Sequence, residues 1–302
     1  MAYEDRILAA LRTGWHRTPD TLAVQPGTAT TPPGVDSGAR TWDVVVGDER
    51  FVAKLVHPAT RATFEAGLAA AEHLRTCGVD AGAPVRTADG ATTVTIDQGI
   101  LALLRHVPGR PLEPDDPLDQ QWWGDLLGTV HRALDGFSHP GLVRWHWVRP
   151  DAPHLELEPW LRPAVTEAVA VLTKLAVTDQ LTYGVLHGEP AAEAFRMDVD
   201  TGRTGLIHWG SAATGPLAYD LAAAVIDAGG PARAPELLDG YAAAGPVPRD
   251  EVDAALPVLL RFRHAVLADR FARRVADARE RGGDPADDLA GLRRAQEALA
   301  SV

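Results

Sequence analysis

The sequence predicts an α+β fold in two lobes, a β-rich lobe over residues 1–107 and a helical lobe over residues 108–302. Three observations carry the prediction. The chain has 302 residues, too many for a minimal domain and enough for two modest lobes sharing a cleft. Period-two apolar alternation recurs before residue 107, which is the pattern of half-buried strands. After a Pro-, Gly- and Asp-rich break at residues 108–117, helical spacing dominates. Apolar residues make up 46% and charged residues 23%, ordinary globular usage that argues against disorder or a fibrous repeat.

Taken in order, residues 1–20 read as an amphipathic helix with Ile7, Leu8 and Leu11 on one face. The stretch Pro26–Gly34 is rich in Gly, Thr and Pro and reads as a loop. Thr41–Val46 and Arg50–Val56 read as strands joined at Gly47-Asp48, a hairpin. Ala59–Thr76 has helical spacing and stops near Gly78. Thr92–Ile96 and Ile100–His106 form a second strand pair around Asp97-Gln98-Gly99. Beyond the break, residues 118–134 are helical, Gly141–Pro163 is aperiodic and rich in Trp, His and Pro, and 163–175 is helical again. Short strands at Leu186, Ala194–Met197 and Gly205–Trp209 precede helices at 217–228, 233–244, 250–281 and 286–301.

Charge and cysteine content narrow the partners. The formal net charge is −12, which disfavours a nucleic-acid backbone as partner. Cys77 is the single cysteine; it cannot form an internal disulfide, and no Cys/His spacing suited to zinc occurs, which fits a reducing compartment and predicts the cytosol. The polar start Met1–Arg6 lacks the basic and apolar regions of a secretory signal. The most apolar stretch, Leu217–Ala228, is interrupted by Asp220 and Asp227, so no membrane partner is expected. Oligomeric state is not legible.

The motif-bearing region is Leu186-His187-Gly188-Glu189, then Glu193-Ala194, then Ile207-His208-Trp209, then Gly215 through Asp220-Leu221-Ala222. In order and spacing it resembles the aminoglycoside phosphotransferase family, with His-Gly-Asp, an Asn five residues later, Ile-Asp-Trp and Gly-x-x-x-x-Asp-Leu-Ala. The resemblance extends over nearly the whole chain. It implies a bilobal, protein-kinase-like fold in which Lys54 is the hairpin lysine that meets nucleotide phosphates. Glu65 or Glu72 would lie on the following helix, Leu127–His131 would match the family's Leu-Gly-x-x-His helix, and Asp220 would brace the catalytic loop.

The chemical positions depart from the pattern. Phosphoryl transfer needs a carboxylate near the acceptor hydroxyl and magnesium held by hard oxygens. The equivalent positions hold Glu189, Ala194 and His208. Glu189 keeps a carboxylate but displaces it by roughly an ångström, a shift that can cost about 100-fold in rate. Ala194 offers no ligand and His208 a poor one. The expected metal set is therefore none, and no cofactor is expected; ATP and magnesium enter only if the chain is a working kinase, with Glu193 as a substitute ligand. Glu189 and His208 could alternatively form an acid/base pair, or a plain salt bridge. Pro32-Pro33 removes amide donors from the candidate phosphate flap at 27–34.

The resemblance places the acceptor pocket in the aperiodic segment, where Trp145, Trp147, Glu156 and Trp160 stand with His146, His154 and Glu158. Indoles stack on planar or cationic groups and carboxylates receive amines, so a cationic or aromatic small molecule is the expected partner. Four readings follow: a binding or sequestering protein, as in antibiotic self-resistance; an active antibiotic O-phosphotransferase with Glu189 as base; a non-phosphoryl enzyme built on Glu189 and His208; and a pseudokinase partner of another enzyme.

Overall fold

A computed structural model describes residues 3–25, 39–97, 99–145, 148–178 and 181–301. The flap at 27–34, His146 and Trp147 lie outside these residues. In chain order the elements are α1 (Tyr3–Trp15), β1 (Thr21–Val24), β2 (Arg40–Val46), β3 (Glu49–Val56), α2 (Arg61–Thr76), β4 (Val94–Ile96), β5 (Gly99–Arg105), α3 (Pro117–Ala133), β6 (Val143–Arg144), α4 (Leu161–Thr178), β7 (Tyr183–Leu186), β8 (Phe195–Asp198), β9 (Arg203–Leu206), β10 (Ala213–Pro216), α5 (Ala218–Asp227), α6 (Pro235–Ala244), α7 (Arg249–Glu280) and α8 (Ala286–Ser301). Among the described residues no helix is long and apolar enough to cross a membrane.

The chain divides into two compact units. The first comprises residues 1–113, 132–143 and 192–213, the second 114–131, 144–191 and 214–302. A single break at 107/108 misses this interleaving. The segment 192–213 joins the first unit because its hairpin is bonded there: Arg110 and Met197 exchange both backbone bonds, at 3.0 and 2.9 Å, and Leu206 N–H donates to Asp80 O at 2.9 Å. Arg203 adds an ion pair to Asp80 at 2.6 Å.

The first unit is built on a five-stranded sheet of order β1-β2-β3-β5-β4. Alternation along its strands divides the side chains between two faces. On one face Trp42, Val44, Phe51, Ala53, Leu55, Leu101 and Leu103 bury against Ile7, Leu11 and Trp15 of α1, each large side chain contributing about 1.5–3 kcal/mol. On the other, Val56, Ile100 and Ala102 pack with Phe64 and Leu68 of α2. The helix expected to run to residue 20 ends at Trp15, and Thr21–Val24 pairs antiparallel with β2 instead.

The second unit is mainly helical. Its core includes an aromatic cluster in which Trp145 lies 4.8 Å from Tyr219 and 5.3 Å from Phe262, ring centre to ring centre. A small sheet of order β6-β10-β7 stands beside the helices. Of the adjacent pair Trp122-Trp123, Trp123 is fully buried, and its indole N–H donates to Pro190 O at 3.0 Å.

Candidate functional site

In the first unit, the sheet face that packs with α2 and the α2 residues Phe64, Gly67, Leu68 and Ala71 together line a cavity of about 660 Å³. The register pairs Thr41 with Lys54, Asp43 with Val52, and Val52 with Leu104, so all five share the cavity face. The remaining wall includes Arg105, His106, Glu193, Arg196 and the turn His208–Gly210.

Lys54 is half-buried, and burial alone lowers its pKa to about 8. Its ammonium lies beside Gly210, where an added Cβ would stand 3.8 Å from Nζ. Among the described residues no carboxylate reaches ion-pair distance of it. Glu65 instead accepts from Arg61 at 3.0 Å and Thr93 at 2.9 Å, and Glu72 pairs with Arg86 at 2.6 Å. The sequence places Glu65 on the right helix, but its local partners hold it there.

His208 is exposed and has left-handed backbone, φ 76° and ψ 38°. This ends β9 at Leu206, two residues before the Gly205–Trp209 strand expected from the apolar pattern reaches His208. The turn is set by Gly67 in the middle of α2: a Cβ there would fall 2.0 Å from Trp209 O, so only glycine allows this approach of helix and turn. Trp209 is buried, and its indole N–H donates to Leu206 O at 2.8 Å.

Ala194 is 2% exposed, and its carbonyl accepts from Ile207 N–H at 2.8 Å. Glu193 is exposed at the cavity wall. Arg196, half-buried, donates from Nη1 to the carbonyls of Glu193 and, at 2.9 Å, Phe195. Burial pulls its pKa below the usual arginine value, and the charge of Glu193 opposes that. His106 is also lowered, first by burial and then by the charge of Arg50, with Asp43 acting the other way. The donors at the implied metal positions are thus a buried methyl and an imidazole, and among the described residues no three His, Cys, Asp or Glu side chains converge on one point. These residues do not fit magnesium, which selects hard oxygen ligands.

In the second unit, the loop after β7 carries His187, Gly188 and Glu189. Asp220, at the start of α5 and 0% exposed, accepts from His187 N–H at 2.6 Å, Gly188 N–H at 3.0 Å and the His131 imidazole at 3.3 Å. Burial alone would raise its pKa, but the His131 hydrogen bond and the charges of His131 and His187 outweigh burial and hold it below the usual carboxylate range. Gly188 has φ 90°, a left-handed turn natural to glycine, and its carbonyl accepts from Arg263 at 3.0 Å. The bracing expected of Asp220 is present in full.

The side chain of Glu189 is exposed, and its Oε1 accepts from Arg270 at 2.9 Å. Arg270, on α7, is therefore its ion-pair partner; a pair with His208 was one alternative the sequence left open. The aromatic segment also differs from expectation. Trp145 is core, 3% exposed. Trp160 is partly buried. Glu156 pairs with Arg162 at 3.1 Å, and His154 with Asp269 at 2.7 Å. Arg196, Arg105, Arg270 and Gly67 were missed by the sequence reading. A usable signal existed for Arg196, since buried Phe195 and Met197 alternate with it along β8.

The phosphotransferase enzyme family model, APH, matches residues 29–257, three quarters of the chain. The chain belongs to this family. Solved structures agree on the fold. An amicoumacin kinase, hAmiN, in complex with AMP-PNP, Ca2+ and Ami is similar at TM-score 0.74 and 17% identity, over 100% of this chain and 94% of that one. A microcompartment-associated aminopropanol kinase is similar at 0.75 and 18%, over 97% and 94%. A spectinomycin phosphotransferase, APH(9)-Ia, in complex with ADP and spectinomycin is similar at 0.65 and 15%, over 97% and 93%. No curated protein sequence matches the chain. The protein is thus a phosphotransferase family member with a kinase-like fold.

Proposed function

We propose that this family member binds a small molecule in the cytosol without performing magnesium-dependent phosphoryl transfer, and that holding or sequestering the ligand is its role, as in antibiotic self-resistance. The observation that carries this reading is the buried methyl of Ala194 together with the imidazole of His208 at the positions where the family resemblance implies metal oxygens. A cavity of about 660 Å³ nearby lies in the range that encloses nucleotide- or drug-sized ligands. The Arg270 bond to Glu189 supports the same reading, because a carboxylate oxygen engaged by a guanidinium must release it to accept a substrate proton. The carboxylates expected to attract an amine, Glu156 and Glu189, each have an arginine partner.

A second reading is an active O-phosphotransferase using Glu189. Lys54 in the cavity wall favours it, as does the likeness to amicoumacin and spectinomycin kinases. Thermal unfolding with ATP plus magnesium, and separately with candidate antibiotics, distinguishes the two, because a ligand of the native state raises its stability. Binding without ADP release is expected. Magnesium-dependent turnover that disappears in Glu189→Gln would establish the kinase instead. The combined variant Glu189→Asp, Ala194→Asn, His208→Asp should gain magnesium-dependent stabilisation by ATP, although Asn must enter a packed site.

A further inference from the structure

The cavity is opposite in charge to the molecule around it. The chain carries −12, yet the lining holds three basic side chains, Lys54, Arg105 and Arg196, against two carboxylates, Asp43 and Glu193. Asp43 is already engaged, accepting from Gln25 Nε2 at 2.8 Å. Glu193 lies close enough to Arg196 to act on its charge. Lys54 has no such neighbour among the described residues. The bonds of Arg196 all run from Nη1 to main-chain carbonyls, which leaves Nη2 and Nε uncommitted. A guanidinium presents its donors as a planar fork that fits the two oxygens of a carboxylate or phosphate. A half-buried cation with no carboxylate at ion-pair distance has lost hydration that an anionic ligand would replace.

We propose that the cavity binds an organic oxyanion, a phosphate or carboxylate, through Arg196 and Lys54 with no divalent cation, the guanidinium supplying the positive charge that a metal would otherwise bring. The proposal rests on the reading that magnesium is not held here, and it names the ligand class and the residue that takes the metal's electrostatic role. Arg196 is then a ligand-binding residue, two positions beyond Ala194 on β8. The exposed imidazole of His208 and the half-buried His106 complete a wall of nitrogen donors around the anion.

The test is calorimetric titration of the full chain with tripolyphosphate, citrate and ATP, each in EDTA and then in excess magnesium. At least one anion should bind in EDTA, and magnesium should leave its affinity unchanged or weaken it. Tripolyphosphate against citrate separates phosphate from carboxylate, and ATP against tripolyphosphate shows whether a base adds anything. Arg196→Gln should weaken binding about tenfold or more, with Arg196→Lys in between. A second measurement follows Lys54 itself. The chain has only two lysines, Lys54 and Lys174, so 13C-dimethylation gives a Lys54 reporter, assigned by its loss in Lys54→Arg, with Lys174 as internal control beside the signal of the N-terminal amine. The Lys54 signal should titrate near pH 8 in the free protein and about one unit or more higher when the anion is bound.

Binding that requires magnesium would overturn both this proposal and the reading beneath it. Failure of all three anions, with stabilisation by an antibiotic intact, would overturn this proposal alone. Unchanged affinity in a folded Arg196→Gln, or a Lys54 signal that does not move, would also overturn it.

Discussion

Asp220 is a buried charge and Lys54 a half-buried one, and their surroundings could hardly differ more. Asp220 is enclosed and fully partnered: two backbone N–H groups of the loop at 187–188 and the His131 imidazole converge on its two oxygens, and His131 is itself bonded to Tyr241 at 2.9 Å. Lys54 stands at a cavity wall with no carboxylate in reach among the described residues. A buried ion is tolerated when its lost hydration is replaced. Asp220 therefore belongs to the architecture of the loop, and its bonds fix the turn whatever residue follows Gly188. Burial lowers the pKa of Lys54, so its charge works against the unliganded fold, and an anionic ligand would relieve that cost. Backbone hydrogen bonding to Asp220 thus holds the shape of the loop, and the exposed side chain at its tip, Glu189, is held separately by Arg270.

The contrast can be broken most directly at Asp220. Asp220→Ala removes the partner of two buried N–H groups and should destabilise the fold by about 3–5 kcal/mol in urea titration; a change under 1 kcal/mol would mean that water replaces the carboxylate. The pH dependence has a definite sign. With the folded pKa of Asp220 depressed, its contribution is complete above the unfolded carboxylate value of about 3.9 and is lost as pH falls through the lower folded value. Gly67→Ala, which drives a Cβ into Trp209 O, should cost about 1–3 kcal/mol and shift the turn that carries His208, visible as altered indole fluorescence.

Lys54→Met tests the other half and should have the opposite sign, stabilising the unliganded protein by about 1–2 kcal/mol at pH 7. The folded pKa of about 8 lies below the unfolded lysine value of about 10.4, so wild-type stability should climb between those pH values while the Met variant stays flat. Glu189→Gln has the smallest expected effect. Its partner Arg270 is 48% exposed and Glu189 itself 46%, and loss of such a pair should change stability by less than about 1 kcal/mol in thermal unfolding.

The readable parts of the sequence were those with a local period. The hairpin of β2 and β3, the amphipathic α2 and the long α7 all follow from alternation or helical spacing within their own segments. The short strands β1 and β10 were missed because four residues carry little period. β9 was read too long because a left-handed His208 cannot be inferred from an apolar run. Gly67 sits among Ala66, Ala70 and Ala71, a small-residue face that hinted at close approach without naming the backbone it meets.

The site divides in the same way. Motif order brought Glu189, Ala194, His208 and Asp220 into view, since each occupies a fixed step along one stretch of chain, and the hairpin pattern brought Lys54. Whether a charge is satisfied depends on residues far away in sequence: Arg270 reaches Glu189 from 81 positions distant, and His131 reaches Asp220 from 89.

Residue type and local spacing were therefore enough to determine the α+β class, the long helices and the family. Folding alone decided that Ala194 is sealed in, that Trp145 is core, that Glu65, Glu156 and Glu189 have arginines, and that Arg196 and Lys54 share a cavity. Covalent order carries the first set, because period and motif are properties of neighbouring residues. The second depends on which groups exclude water from one another, and that is settled only when distant segments meet.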